Sequence, residues 1–324
     1  MNQRSLIEQL DSAISAMLAR PDASFAALEA ELEPLIQVAR DLRELPREDF
    51  KTRLKQNLER RAPMSTTTVG EPSSTKSDTA VQTVTPYITT HAAAELIEFV
   101  KAGLGAEEIM RTTGSAGGIH CEVRIADSRL MIGGGGQWHG TAMPTSIHLY
   151  VSDADAAYRR AIEAGATSLK EPADMDYGDR EASVQDLAGN QWYFGMVRNR
   201  ELPEGTRAAT LYLHPRGADK FLEFLKQAFG AEEVDMYRDP KGVIVHGQVR
   251  IGNSIIEMGE AHGQWGPMPT MIYLQVPNAD AAYERALQAG ATSLSVPADQ
   301  PYGARSGAVQ DGQGNQWYVA SPLK

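Results

Sequence analysis

A chain of 324 residues with 42% hydrophobic and 23% charged side chains has the composition of an ordinary globular protein of about two domains, which excludes a collagenous, disulfide-rich or wholly disordered chain. Its formal charge of -11, from 31 Lys and Arg against 42 Asp and Glu, argues against nucleic acid as a partner, because phosphate binding draws on a surplus of cations. No window supplies the roughly 18 apolar residues of a bilayer crossing, and acidic residues precede any apolar stretch at the start, so the expectation is a cytoplasmic protein without a membrane partner.

In chain order, residues 1–62 carry helical periodicity. Ile7, Leu10, Ile14 and Met17 are spaced three and four apart, Asp22 suits an N-cap, Pro34 restarts a helix, and Pro46 opens a third with Phe50, Leu54 and Leu58 in a stripe. This preface reads as a small helical bundle, with a solvated face or a protein-binding role for its basic last helix. Residues 63–80, rich in Ser, Thr and Pro, read as a flexible linker.

Beyond the linker the sequence repeats itself at an offset near 125. FVKAGLGAEE answers FLKQAFGAEE, IHCEVRIADS answers VHGQVRIGNS, and DADAAYRRAIEAGATSL answers NADAAYERALQAGATSL, which predicts two domains, 81–200 and 206–324. Inside the first copy, alternation and helical periodicity predict a strand VTPYITT, a helix AAELIEFVKAGLG, a strand around AEEIMR and a hairpin HCEVRIADSRLMIG turning at Ala126-Asp127. The same order recurs with the strand TSIHLYV, the helix DADAAYRRAIEAG, the strand ATSLKEP and the hairpin EASVQDLAGNQWYF. The pattern is β-α-β-β-β twice per copy and four times per chain.

These segments, with YGDR and YGAR and the D-x-x-G-N-Q-W ends, resemble the vicinal oxygen chelate superfamily, the glyoxalase, bleomycin-resistance and extradiol dioxygenase group, and most closely its PhnB-like branch. The resemblance covers everything beyond the linker. It implies an α+β fold in which paired βαβββ modules, four in all, close two half-open barrels with the ligand on each concave face, behind the helical segment.

Strand alternation chooses the groove face independently. Pairing Ile251 with Ser254 puts His246, Gln248, Arg250 and Glu257 on one face and Val245, Val249, Ile251, Ile256 and Met258 on the other. The same register gives His120, Glu122 and Arg124 a groove face, with Met131 where Glu257 would be, and sends the lone Cys121 to the core. Trp192 and Trp317 are expected under the helices, with Tyr193 and Tyr318 facing the groove. Arg180 and Arg305 either clamp an anionic group or hold their loop.

By the resemblance, catalytic members hold a divalent metal with His and Glu on the first and last strands of each module. Carried over, those positions fall on Thr85, Thr210, Ser146, Met271, Tyr193 and Tyr318, none a good ligand. A slip of two residues would bring in His148 and His214. The expectation is therefore a metal-free protein without cofactor that binds a small organic molecule in two grooves, one lined by Tyr87, His120, Glu122, His148 and Tyr193, the other by Tyr212, His214, His246, Glu257, Tyr273 and Tyr318. The alternatives are a metal-dependent lyase, isomerase or dioxygenase with shifted ligands, and an interaction module acting through the preface; catalytic residues are not identified. Because single-copy relatives pair as dimers, the tandem chain is expected to be an internal pseudo-dimer and a monomer.

Overall fold

The computed structural model describes residues 81–114, 116–263 and 265–323. The helical preface and linker expected over residues 1–80 lie outside the described residues. The described residues fall in one compact unit, and its chain passes four times through the order strand, helix, three strands.

The first quarter holds β1 (Val84–Thr90), α1 (Ala93–Leu104), β2 (Glu107–Thr113), β3 (Ile119–Ile125) and β4 (Ser128–Gly134). The second holds β5 (Ser146–Tyr150), α2 (Ala154–Glu163), β6 (Thr167–Asp174), β7 (Arg180–Gln185) and β8 (Gln191–Met196). The third holds β9 (Ala209–Leu213), α3 (Ala218–Phe229), β10 (Glu232–Arg238), β11 (Ile244–Ile251) and β12 (Ser254–Met258). The fourth holds β13 (Met271–Gln275), α4 (Ala279–Gln288), β14 (Thr292–Asp299), β15 (Ala304–Gln310) and β16 (Gln316–Pro322).

Local chemistry fixes these elements. The carboxylate of Asp153 accepts the Ala156 N–H at 2.9 Å to start α2, and Asn278 does the same for Ala281 at 3.0 Å to start α4. Left-handed Gly105 and Gly230 close α1 and α3. Each D-x-x-G-N-Q-W segment is a self-holding turn. Asp186 accepts from the backbone N–H of Ala188 and Asn190, from the Asn190 amide and, at 2.9 Å, from the Trp192 indole. Asp311 repeats the set around Asn315 and Trp317.

The strands form two eight-stranded sheets, and their composition corrects the sequence reading. The first runs β14-β15-β16-β13-β1-β4-β3-β2, joining quarters one and four; the second runs β10-β11-β12-β9-β5-β8-β7-β6, joining quarters two and three. Neither copy closes a sheet of its own. The joins are antiparallel, β1 against β13 with Thr85 opposite Tyr273, and β5 against β9 with His148 opposite Thr210. Side-chain periodicity within a strand cannot tell which quarter lies alongside it, because every quarter offers the same kind of edge.

Two hairpin tips tie the copies together. Asp127 Oδ1 accepts the Ala208 N–H at 2.8 Å and Ser128 Oγ the Ala209 N–H at 2.7 Å, at the entry to β9. Asn253 Oδ1 and Ser254 Oγ do the same for Thr83 and Val84 at 2.9 and 3.1 Å, at the entry to β1. The hydrophobic cores, by contrast, follow the copies: Leu96, Ile97 and Val100 of α1 pack with Ile132, Ile147, Trp192 and Phe194, and Phe221, Leu222 and Leu225 of α3 pack with Ile256, Ile272, Trp317 and Val319. Cys121, Trp192 and Trp317 are fully buried, as the alternation requires. One inward residue differs from expectation. A bulge in β11 skips Val245 in the pairing with β10, so Ile244 rather than Val245 enters the core.

Candidate functional site

The helices cover one face of each sheet. On the other face, uncovered by any helix among the described residues, Thr85, Ser146, Thr210, Gln248 and Glu257 are nonetheless buried, so each sheet curls around a groove. The groove residues named from sequence all lie on these faces but regroup. Tyr87, His120 and Glu122 share a groove with Tyr273 and Tyr318 of the other copy, while His148 and Tyr193 join Tyr212, His214, His246 and Glu257. The grooves expected within single copies are thus replaced by grooves that straddle the two.

The second sheet's groove is built around one carboxylate. Glu257, 0% exposed, receives His148 Nδ1 on Oε2 at 2.8 Å, and on Oε1 it receives the Tyr150 hydroxyl and Gln248 Nε2, the latter at 2.9 Å. Burial works against both charges, raising a carboxyl and lowering an imidazole. Their mutual attraction and hydrogen bond outweigh it, so Glu257 is held at about 2 and His148 lies above its ordinary 6.5. The pair is a buried ion pair spanning β5 and β12, elements of different copies. Gly195 makes room for it: a Cβ there would sit 2.3 Å from His148 Nε2.

Beyond the ion pair stands a wall of rings. Tyr212 and His214 lie 4.8 Å apart, Tyr193 meets Tyr212 at 5.7 Å and Trp265 at 5.3 Å, and Trp265 stacks on His214 at 6.2 Å. The Tyr193 hydroxyl and His214 Nε2 are 3.3 Å apart, and Tyr212 meets His246 Nδ1 at 3.4 Å. Burial keeps His214 neutral, lowered to about 4, and pushes the Tyr193 and Tyr212 phenols well above 10.

The first sheet's groove repeats part of this plan. Tyr87 and His120 Nδ1 share a hydrogen bond of 2.9 Å, answering Tyr212 and His246, and burial lowers His120. Tyr273 and Tyr318 are register partners on β13 and β16. Glu122 meets Arg129 at 3.3 Å.

Sequence reasoning missed Tyr150 and Trp265 as groove residues, while Gln248, placed on the groove face by alternation, does reach Glu257. Tyr150 lies two residues beyond His148 on the same strand face, a signal that alternation supplies. Trp265 lies between β12 and β13, outside any strand, where no periodicity exists to orient it. Arg180 resolves to the structural option: its guanidinium grips Asp155 at the start of α2 through Nε and Nη2 and reaches Asp174, and Arg305 grips Asp280 and Asp299 likewise. A separate polar cavity of about 520 Å³ opens where the hairpin tips meet, lined by Asp127, Arg250 and Asn253 among others, away from the paired groove residues.

The donor set does not suit the divalent metal that the fold suggests. A metal site needs three or four N, O or S ligands converging within about 2 Å of the ion. On β12, β9, β5 and β8, the four central strands of the second sheet, His148 and Glu257 are the two strong donors, and they are bonded to each other. Their neighbours at equivalent places are Thr210 and Tyr193, a hydroxyl and a phenol that hold their protons. Among the described residues no group of three or more His, Cys, Asp or Glu comes together. Nor, among them, is any helix long and apolar enough to cross a membrane.

Comparison with known proteins agrees with this architecture. Glyoxalase I from Zea mays superposes with a TM-score of 0.59 over 74% of this chain and 92% of its own at 10% identity, a likeness of fold alone. An uncharacterized protein of Mycobacterium bovis is 31% identical over 114 residues, 32% of this chain and 75% of its own length, and one of Mycobacterium tuberculosis is 32% identical over 114 residues, 32% and 67% of the two lengths. The profile of the Glyoxalase/Bleomycin resistance protein/Dioxygenase superfamily matches residues 81–194 and again 213–319, well over half of the sequence, and the chain belongs to that superfamily.

Proposed function

We propose that this protein is a metal-free binder of small organic molecules, a cytoplasmic member of the PhnB-like branch that holds its ligand in the grooves across the two sheets. The carrying observation is the closure of His148 on Glu257, which engages the two strongest metal donors of the central strands with each other. Much of what faces the groove beside them is aromatic and uncharged, with Glu181 and Arg200 the charged groups that act on His148. Tyr193, Tyr212, neutral His214 and Trp265 offer ring faces and a few hydroxyl and imidazole hydrogen bonds, the mixture that suits an organic ligand.

The crosswise sheets support the reading of the chain as a monomeric pseudo-dimer. Copies 81–200 and 206–324 supply to each other the strands that two single-copy chains would exchange. The test is a thermal-shift screen of organic compounds on the full chain, followed by titration of the hits against intrinsic tryptophan fluorescence, to which Trp265 in the groove contributes. A ligand that raises the melting temperature, perturbs the emission and weakens at least tenfold in Tyr193→Ala or Tyr212→Ala supports the proposal. Hits that bind those variants unchanged would move the site elsewhere.

A further inference from the structure

The two grooves differ in the strand that carries the carboxylate and in what surrounds it. Between β11 and β12 the facing pair is Gln248 and Glu257; between β3 and β4 it is Glu122 and Met131. Each of these facing pairs keeps one carboxylate, but on neighbouring strands, and its surroundings change with it. Where His148 neutralises Glu257, the repeat puts Tyr273. Glu122 retains 18% side-chain exposure, and its cation is Arg129, 57% exposed and held through one nitrogen at 3.3 Å. A pair whose cation is exposed and held through one nitrogen contributes little, so Glu122 can exchange Arg129 for another cation at small cost.

The rest of the groove favours that exchange. Tyr273 and Tyr318 stand side by side on β13 and β16, and Tyr87 sits between Met131 and Met271 on the strands that flank it. Burial raises the Tyr87 and Tyr273 phenols to about 12 and keeps His120 low, so neither the rings nor the imidazole brings a charge. Glu122 then faces neutral phenol rings, which attract positive charge, beside the polarizable thioethers of Met131 and Met271. Gly133 keeps the groove open at Tyr87, since a Cβ there would lie 2.8 Å from the phenol oxygen.

We infer that the first sheet's groove binds an organic cation, an ammonium or quaternary amine on a small apolar body, whose charge lies against Tyr87, Tyr273 and Tyr318 and replaces Arg129 on Glu122. This rests on the reading that the grooves hold ligands, and is independent of the metal question. Calorimetric titration of the full chain with choline and with its uncharged isostere 3,3-dimethylbutan-1-ol tests it. Choline is expected to bind about tenfold tighter than the isostere, an advantage that Glu122→Gln abolishes and Tyr318→Leu cuts about fivefold, with unchanged circular dichroism in both variants. Equal affinity for the two probes would overturn the cation assignment while leaving the ligand-groove reading standing. Failure of both to bind at millimolar concentration would overturn both for this groove.

Discussion

At the scale of single residues, the ion pair of His148 and Glu257 carries the largest energetic stake. Removing one partner leaves the other buried without a counter-charge, so Glu257→Gln is expected to cost about 3–5 kcal/mol in denaturant melts near pH 6. The pH dependence has a definite sign. His148 is raised in the fold, so its contribution is complete below its ordinary 6.5 and fades as pH climbs through the folded value. Glu257 is lowered, so its contribution is complete above its ordinary 4.5 and fades as pH falls towards about 2. The stability gap between the native chain and a His148→Phe, Glu257→Leu double variant should therefore favour the native chain most between those two ordinary values; a flat gap would mean the pair is not charged. Both residues were legible as groove residues from alternation alone. Their meeting was not, because it depends on strands from different copies lying two apart in one sheet.

At the scale of elements, local pattern sufficed for most of the fold. Strand and helix periodicity, the caps at Asp153 and Asn278 and the tip at Ala126-Asp127 all follow from residues close in sequence. The β11 bulge did not follow, since an extra residue shifts the alternation without leaving a compositional mark, and Ile244 and Val245 are equally apolar. The Asp turn makes a testable claim of its own. Asp186 and Asp311 each satisfy two backbone N–H groups, an amide and an indole, and burial raises both carboxyls only partly against those donors. Asp186→Ala and Asp311→Ala should each destabilise by about 3 kcal/mol, with a matching change in tryptophan emission. A loss in only one copy would show that the two turns are not equivalent supports.

At the scale of the whole unit, cores belong to the copies and sheets cross between them. A break in the connector around residues 201–205 should therefore leave fragments 77–200 and 206–324 with formed cores but open strand edges at β1, β5, β9 and β13. Each fragment alone is expected to self-pair or aggregate, and the two mixed to recover a one-to-one complex by light scattering; two well-behaved monomers would contradict the crosswise sheets. The same arrangement puts Glu257 beside His148, and the central claim about chemistry rests there. The most direct measurement is metal content after reconstituting untagged, chelator-free protein with Zn, Ni, Mn and Fe(II). The closed pair predicts well below one ion per chain with each metal; near-stoichiometric binding that disappears in Glu257→Gln or His148→Ala would contradict it.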